Sequence, residues 1–282
     1  MTVDPSSPGI SYVEAPHREP VCAHDVLTDV DSREQSLNLP GLPFHLHEGD
    51  AVEWLRSIST ASVDLIVTDP PYESLEKHRS IGTTTRLKHS KASSNDWFSI
   101  FPNSRFEELF REVWRVLKRN THFYLFCDAA TMFIAKPIAE SVGFRFWKPL
   151  VWDKKKIGMG YHYRSRCEFI LFFEKGKRKI LDLGVPDVLE APRILHGYPT
   201  EKPAAVSRVL ISQSSVRGEL VLDPFMGAGS VGVASVELGR NFHGNDLSAK
   251  AVEITRERLV VATRAPTEQD VRQAHVRLRS DT

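Results

Sequence analysis

Two acid-bearing clusters carry the chemistry that can be read from this chain. The first is Asp69-Pro70-Pro71-Tyr72, which ends the apolar run Val63-Asp64-Leu65-Ile66-Val67-Thr68. These four residues offer a flat, amine-bearing ring three contacts. Asp69 can accept one N–H of an amino group, and the Pro70 carbonyl can accept the other. Proline brings no N–H to compete, and its fixed φ holds that carbonyl in place. Tyr72 supplies a face for stacking, worth roughly 1–3 kcal/mol per base. A strand-ending turn, capped by Asp69 with Tyr72 packed beneath it, is the plainer reading of the same residues. The second cluster is Asp223-Pro224-Phe225-Met226-Gly227-Ala228-Gly229-Ser230, a strand end followed by a glycine turn that opens a helix. Gly227, Gly229 and Gly232 satisfy G-x-G-x-x-G, and Asp246 ends the next predicted strand. Glycines let backbone approach a nucleotide, and such an acid accepts from ribose hydroxyls. A dinucleotide fits poorly, because Asp223-Pro224-Phe225-Met226 separates the strand from the first glycine. An acid there suits a cationic amino-acid moiety better than a pyrophosphate.

The elements that must position these clusters follow from periodicity. The run 63–68 is short, β-branched and nearly unbroken, as expected of a strand buried on both faces. Ahead of it, 44–50 reads as a short strand ending in Gly49-Asp50, then a helix over 51–58. His45 and His47 alternate on one strand face, but no third ligand lies nearby, so no metal is expected. Ser104 with Glu107 forms a capping-box pattern before a helix over 105–118. A strand over 121–127, a helix over 129–141 and strands over 144–152 and 166–174 come next. The last two flank a basic loop and predict an antiparallel hairpin at a sheet edge. A helix over 201–212, a strand over 219–223, a helix over 229–238, a strand over 242–246 and a helix over 248–263 complete the order. Strand and helix alternate, which predicts an α/β fold with a mostly parallel sheet and helices on both faces.

Three stretches fall outside that pattern. Residues 1–40 carry five prolines among polar residues and read as a flexible extension; 265–282 read as a polar tail. Residues 73–103 form a long segment with Lys77, His78, Arg79, Arg86, Lys88, His89 and Lys91. Beside the first cluster, such a basic segment suits a mobile loop that contacts nucleic acid. The single domain is therefore expected over 41–264, with no internal repeat.

The 282 residues are 41% hydrophobic and 26% charged, with a formal net charge of +1. That is the composition of a water-soluble globular protein whose nucleic-acid affinity must come from local patches. Three scattered cysteines argue against a disulfide framework or a cysteine zinc site and fit a reducing cytoplasm. No membrane-length apolar stretch or signal pattern is present. A cytoplasmic location is expected.

Together the two clusters resemble motifs of the DNA amino-methyltransferases. Asp69-Pro70-Pro71-Tyr72 resembles their catalytic motif, and the 223–230 cluster resembles their S-adenosylmethionine motif. The catalytic motif comes first in the chain, an order similar to that of the β class. Glu48-Gly49-Asp50 resembles the family's G-D element near the cofactor adenine. Tyr198-Pro199-Thr200-Glu201-Lys202-Pro203 resembles its H-P-T-E-K-P, with Tyr198 in place of histidine. The likeness spans roughly residues 44–262. It implies a Rossmann-like, S-adenosylmethionine-dependent methyltransferase fold with a seven-stranded sheet. It also implies cofactor contacts from Asp50, Lys202, Asp223, Pro224, Phe225, Gly227, Gly229, Ser230 and Asp246. Of these, Asp50 would take the adenine amino group, Asp246 the ribose, and Asp223 or its neighbouring backbone the methionine part.

The activity implied is methyl transfer to the exocyclic amino group of a base flipped out of double-stranded DNA. Asp at position 69 resembles the adenine-N6 members more than the cytosine-N4 members, in which Ser is the more frequent residue. The alternatives are cytosine N4 and a catalytically inactive methyltransferase fold serving as a DNA-binding subunit. Target-sequence contacts are expected from the 73–103 loop and the 153–200 region. The latter is short, which implies a short site or help from a second subunit, a homodimer among the options. With no nuclease signature, a solitary modifying enzyme is expected over a fused restriction protein.

Overall fold

The computed structural model describes residues 41–73, 99–158, 162–195, 198 and 201–264. The extension 1–40, positions 74–98 of the basic loop and the tail 265–282 lie outside the described residues. The elements run β1 (Phe44–Glu48), α1 (Ala51–Ser57), β2 (Val63–Thr68), α2 (Phe106–Val116), β3 (Leu117–Cys127), α3 (Ala129–Val142) and β4 (Arg145–Asp153). They continue through β5 (Cys167–Lys175), β6 (Val188–Glu190), α4 (Ala204–Ser214), β7 (Leu220–Asp223), α5 (Ser230–Glu237), β8 (Asn241–Asp246) and α6 (Ala249–Thr263). The strands form one sheet in the order β1-β8-β7-β2-β3-β5-β4-β6. Every neighbouring pair is parallel except those of β5, which runs against both β3 and β4.

All six residues of β2 are buried, because helices cover both sides of its position in mid-sheet. Ile66 joins a cluster with Phe106, Phe110 and Phe123 on one side. Leu65 and Val67 join Tyr124, Phe126 and Phe242 on the other. Each such aliphatic side chain stabilises the fold by roughly 1.5–3 kcal/mol on burial. Asp64 interrupts the run without breaking the strand, since its carboxylate takes Lys118 Nζ at 2.7 Å and the Leu220 N–H at 3.0 Å. That second bond ties β2 to the start of β7.

Three expectations shift. The sheet has eight strands rather than seven, because Val188–Glu190 pairs parallel with β4 along Val151–Asp153. The antiparallel β4–β5 hairpin is therefore covered at its outer side, and its second strand sits inside, against β3. The capping box does not form: Ser104 lies in a 3-10 turn over Asn103–Arg105, and Arg105 precedes α2 without a side-chain cap. Other bonds set the turn, with Asn103 N–H donating to Glu73 and Arg105 reaching Asp50. The helix expected from Glu201 starts at Ala204, after Pro203.

Candidate active site

Parallel strands deliver their C-terminal ends to one edge of the sheet, the edge where open α/β sheets bind ligands. Asp50 follows β1, Asp69 follows β2, Asp223 ends β7 and Asp246 ends β8. Because β5 is reversed, it brings its beginning, Cys167-Glu168, to the same edge. Both sequence clusters open into one cavity of about 1290 Å³, lined also by Lys154, Glu168, Tyr198 and Lys202.

In the first half of the cavity, Asp69 is held by side chains. The Tyr72 hydroxyl donates to its Oδ1 at 3.1 Å, and the Lys202 ammonium pairs with its Oδ2. Lys202 Nζ also lies 3.3 Å from Glu168 Oε2, while Lys154 Nζ pairs with Glu168 Oε1 at 2.8 Å. Burial pushes the Asp69 carboxyl up; Lys202 opposes that and Glu168 adds to it. Burial works against the Lys202 charge, but Asp69 and Glu168 outweigh it and keep the ammonium charged. The Tyr72 ring is only 6% exposed and belongs to the lower core. Its hydroxyl is pushed up first by burial, then by Asp69. Phe101 is stitched to this turn, donating its N–H to the Pro71 carbonyl at 2.7 Å and bridging to Tyr72.

In the second half, every carboxylate accepts backbone N–H groups, and Asp223 and Asp50 take a side-chain donor as well. Asp223 Oδ1 takes the Phe225 N–H at 3.1 Å and the Thr68 hydroxyl at 2.7 Å. Burial raises the Asp223 carboxyl to about 7. Asp246 takes the Gly227 N–H at 2.9 Å and the Ser248 N–H at 2.9 Å, and burial raises it too. Asp50 caps α1 through the Val52 and Glu53 N–H groups and receives a bidentate Arg105 at 2.7 and 2.9 Å. Hydrogen bonding from Arg105 lowers its carboxyl to about 2, against a smaller effect of burial. The Ser230 hydroxyl donates to the Lys202 carbonyl at 2.6 Å, which ties the glycine turn to the Lys202 segment.

The two glycines of the turn have different reasons. Gly227 has φ of 51°, and a Cβ there would point toward Tyr198 at 3.7 Å, on the cavity wall. Gly229 has φ of 76°, and its Cβ would strike Thr255 Cγ2 at 2.5 Å, on α6. The close approach expected at Gly229 is therefore to the protein itself and not to a ligand. Pro224, Phe225, Gly227 and Ser230 line the cavity; Gly229 does not.

Lys202, expected among the cofactor contacts, lines the cavity with its ammonium on the tetrad side. Its side chain is 12% exposed and turned onto Asp69 and Glu168, whose own side chains are 24% and 23% exposed. Sequence reasoning missed Glu168, Lys154 and Arg105, whose partners are distant in the chain. Among the described residues, no group of three or more His, Cys, Asp or Glu is placed to hold a metal, and no helix is long and apolar enough to cross a membrane. His45 instead packs edge-on against His243 at 4.8 Å, and His47 bonds Asn245 at 2.8 Å.

Comparison with known proteins places the chain in a family. The N6/N4-type family described as DNA methylase matches residues 63–196 and 185–257. The type II methyltransferase M.HpaI of Haemophilus parainfluenzae is 27% identical over 238 residues, covering 74% of this chain and 72% of that protein. The DNA adenine methyltransferase YhdJ of Escherichia coli K12 is 26% identical over 260 residues, covering 78% and 84%. The structure of M1.HpyAVI in complex with SAM superposes with a TM-score of 0.56 at 21% identity, over 77% of this chain and 99% of that one.

Proposed function

Because the chain belongs to the N6/N4 DNA methylase family, we propose that it methylates the exocyclic amino group of adenine, at N6, in a base flipped out of duplex DNA. One observation carries this reading: Asp69, at the end of β2, shares a single cavity with the glycine turn after β7.

The residues present suit S-adenosyl-L-methionine. A Cβ at Gly227 would point at Tyr198 on the cavity wall, and Asp50 and Asp246 stand side by side at the ends of the neighbouring strands β1 and β8, with carboxylates held in place. When bound, this cofactor supplies an electrophilic methyl group on a sulfonium centre. Asp69 and the Pro70 carbonyl take the two N–H groups of the target amine, with the Tyr72 ring forming the wall beside it. Withdrawing those protons toward acceptors localises the nitrogen lone pair. Orientation of this kind can supply ~7–11 kcal/mol of a barrier. Transfer would break the methyl–sulfur bond, leaving its electron pair on sulfur, and the alkylated nitrogen would then lose one N–H proton. Asp69 receives that proton, for which its raised affinity suits it, and passes it to water. Target-sequence contacts we assign to the 73–103 segment and the 153–200 region, the task of finding the site being shared between basic charge and base-edge contacts.

The test is incubation of amplified, unmethylated bacterial genomic DNA with isotopically labelled S-adenosyl-L-methionine, followed by nucleoside analysis. N6-methyladenine is the expected product; N4-methylcytosine in its place overturns the choice of base. Asp69→Ala, folded by circular dichroism, should keep cofactor affinity and lose at least ~100-fold in single-turnover rate. A parental rate in that variant returns the tetrad to a strand-ending turn.

A further inference from the structure

The Lys202 ammonium has two carboxylates within reach, and one of them is incompletely used. Glu168 Oε1 is fixed by Lys154, but Oε2 is buried and makes no hydrogen bond among the described residues, although Lys202 Nζ stands 3.3 Å away. The Lys202 backbone cannot follow a moving side chain, since its carbonyl is held by Ser230. Its stem lies by the Phe126 ring, with Nζ 5.8 Å from the ring centre. The four charges, Asp69, Lys202, Glu168 and Lys154, sum to zero.

We propose that Glu168 is a second seat for the Lys202 ammonium, which occupies Asp69 in the resting site and transfers to Glu168 Oε2 as the target amine takes its place. This rests on the reading of Asp69 as the amine acceptor. The physical need is clear. If Asp69 were the sole partner of Lys202, an arriving neutral amine would strand a buried ammonium, and an unpaired buried charge is strongly unfavourable. Glu168 removes that obstacle, because the ammonium exchanges one carboxylate for another over a short swing. Lys154 keeps Glu168 from following Lys202 toward Asp69. Glu168 is thus a positioning residue, acting on the amine through Lys202 and Asp69.

The groups facing Asp69 set the expected pH behaviour. They are Lys202 before α4, Glu168 on β5, Tyr72 in its own turn, Asp223 on β7 and Cys127 at the end of β3. Glu168→Gln removes a like charge and leaves Lys202 bound to Asp69 alone. Asp69 then stays ionised to lower pH, but its acceptor is blocked. Lys202→Gln does the reverse, leaving Asp69 buried beside Glu168 with no cation, so it takes a proton at higher pH.

Single-turnover methylation of amplified genomic DNA, at saturating S-adenosyl-L-methionine across pH 5 to 9, reads both effects at once. Glu168→Gln should lower the plateau rate roughly 10- to 100-fold, the scale for losing a group that orients a directly acting one, and move the acid limb to lower pH. Lys202→Gln should move the acid limb to higher pH. Glu168→Asp keeps the charge but shortens the reach, and should shift the limb in the same direction as Gln by less; it decides the matter if the Gln variant does not fold. A lowered rate with an unmoved limb means Glu168 is merely structural, and a parental rate or limbs moving the same way in Glu168→Gln and Lys202→Gln overturns the second seat. Asp69→Asn run alongside separates the two levels. If it methylates at the parental rate, the amine-acceptor reading falls; if it is inactive while Glu168→Gln is parental, only the second seat falls.

Discussion

The two halves of the cavity hold their carboxylates by different means. On the glycine-turn side, Asp50, Asp223 and Asp246 accept backbone N–H groups, mostly from residues two or three positions further along the chain. On the tetrad side, Asp69 is held by the tips of Tyr72 and Lys202. A backbone-held carboxylate can be displaced only by refolding the turn that holds it. A side-chain-held carboxylate changes partners for the cost of a rotamer. Fixed acceptors suit a site that must fit one ligand, and exchangeable ones suit a centre where protons and partners change during reaction.

The strongest way to break this contrast is to disturb the backbone-held side. Gly229→Val adds a Cβ at 2.5 Å from Thr255 Cγ2 on a residue with φ of 76°. The expected loss is at least ~2 kcal/mol of folding stability, from strain and overpacking together, read as a lower urea midpoint. A parental midpoint would show that the turn tolerates distortion and that its carboxylates are no more fixed than Asp69.

A milder probe uses pH, where two carboxylates of the glycine-turn side should behave oppositely. Asp223 has its folded pKa raised from 3.8 to about 7, so the folded state holds its proton more tightly. Its contribution to stability therefore falls as pH rises from about 4 to about 7. Asp50 is lowered from 3.8 to about 2, so its contribution is present above about 4 and is lost as pH falls toward 2. Urea unfolding across pH should find Asp223→Asn flattening the decline between pH 5 and 7, by no more than ~1.4 kcal/mol per pH unit. Arg105→Gln should blunt the acid loss below pH 4, by less, because this pair is about one-third exposed and partly screened. Unchanged slopes in both variants would remove the electrostatic side of the comparison.

The smallest effect belongs to Tyr72→Phe. It deletes one hydrogen bond of 3.1 Å to Asp69 and keeps the ring. Since Lys202 still holds Asp69, the single-turnover rate should fall only about 2- to 10-fold, the worth of one ordinary hydrogen bond. A loss as large as that of Asp69→Ala would mean the partners of Asp69 are not exchangeable.

What was legible in the sequence was whatever a short window determines. The unbroken run 63–68 gave a central strand, the alternation of periods gave the sheet and its helices, and both clusters lie at strand ends on one edge. Glu168 was illegible because it is one acid at the start of a strand, and only the reversal of β5 carries it to that edge. The partners of Lys202 and Arg105 were hidden for the same reason, being set by topology and not by spacing. The capping box failed where a local signal met a distant one: Ser104 and Glu107 have the right separation, but Arg105 is drawn to Asp50. Val188–Glu190 is too short to register as a strand until β4 offers it an edge.

The order of strands across the sheet also bears on how the chain is made. β1 and β2 are consecutive in the sequence, yet β8 and β7 lie between them, and β8 is the sheet neighbour of β1 among the described residues. While the nascent polypeptide leaves the ribosome, the β1 edge that β8 takes and the β2 flank that β7 takes both stay bare. At typical translation speeds that interval lasts roughly 10–40 s. The β7–β8 segment thus fills the gap between β2 and β1, and an unfinished chain exposes a sticky β flank for as long as the wait continues.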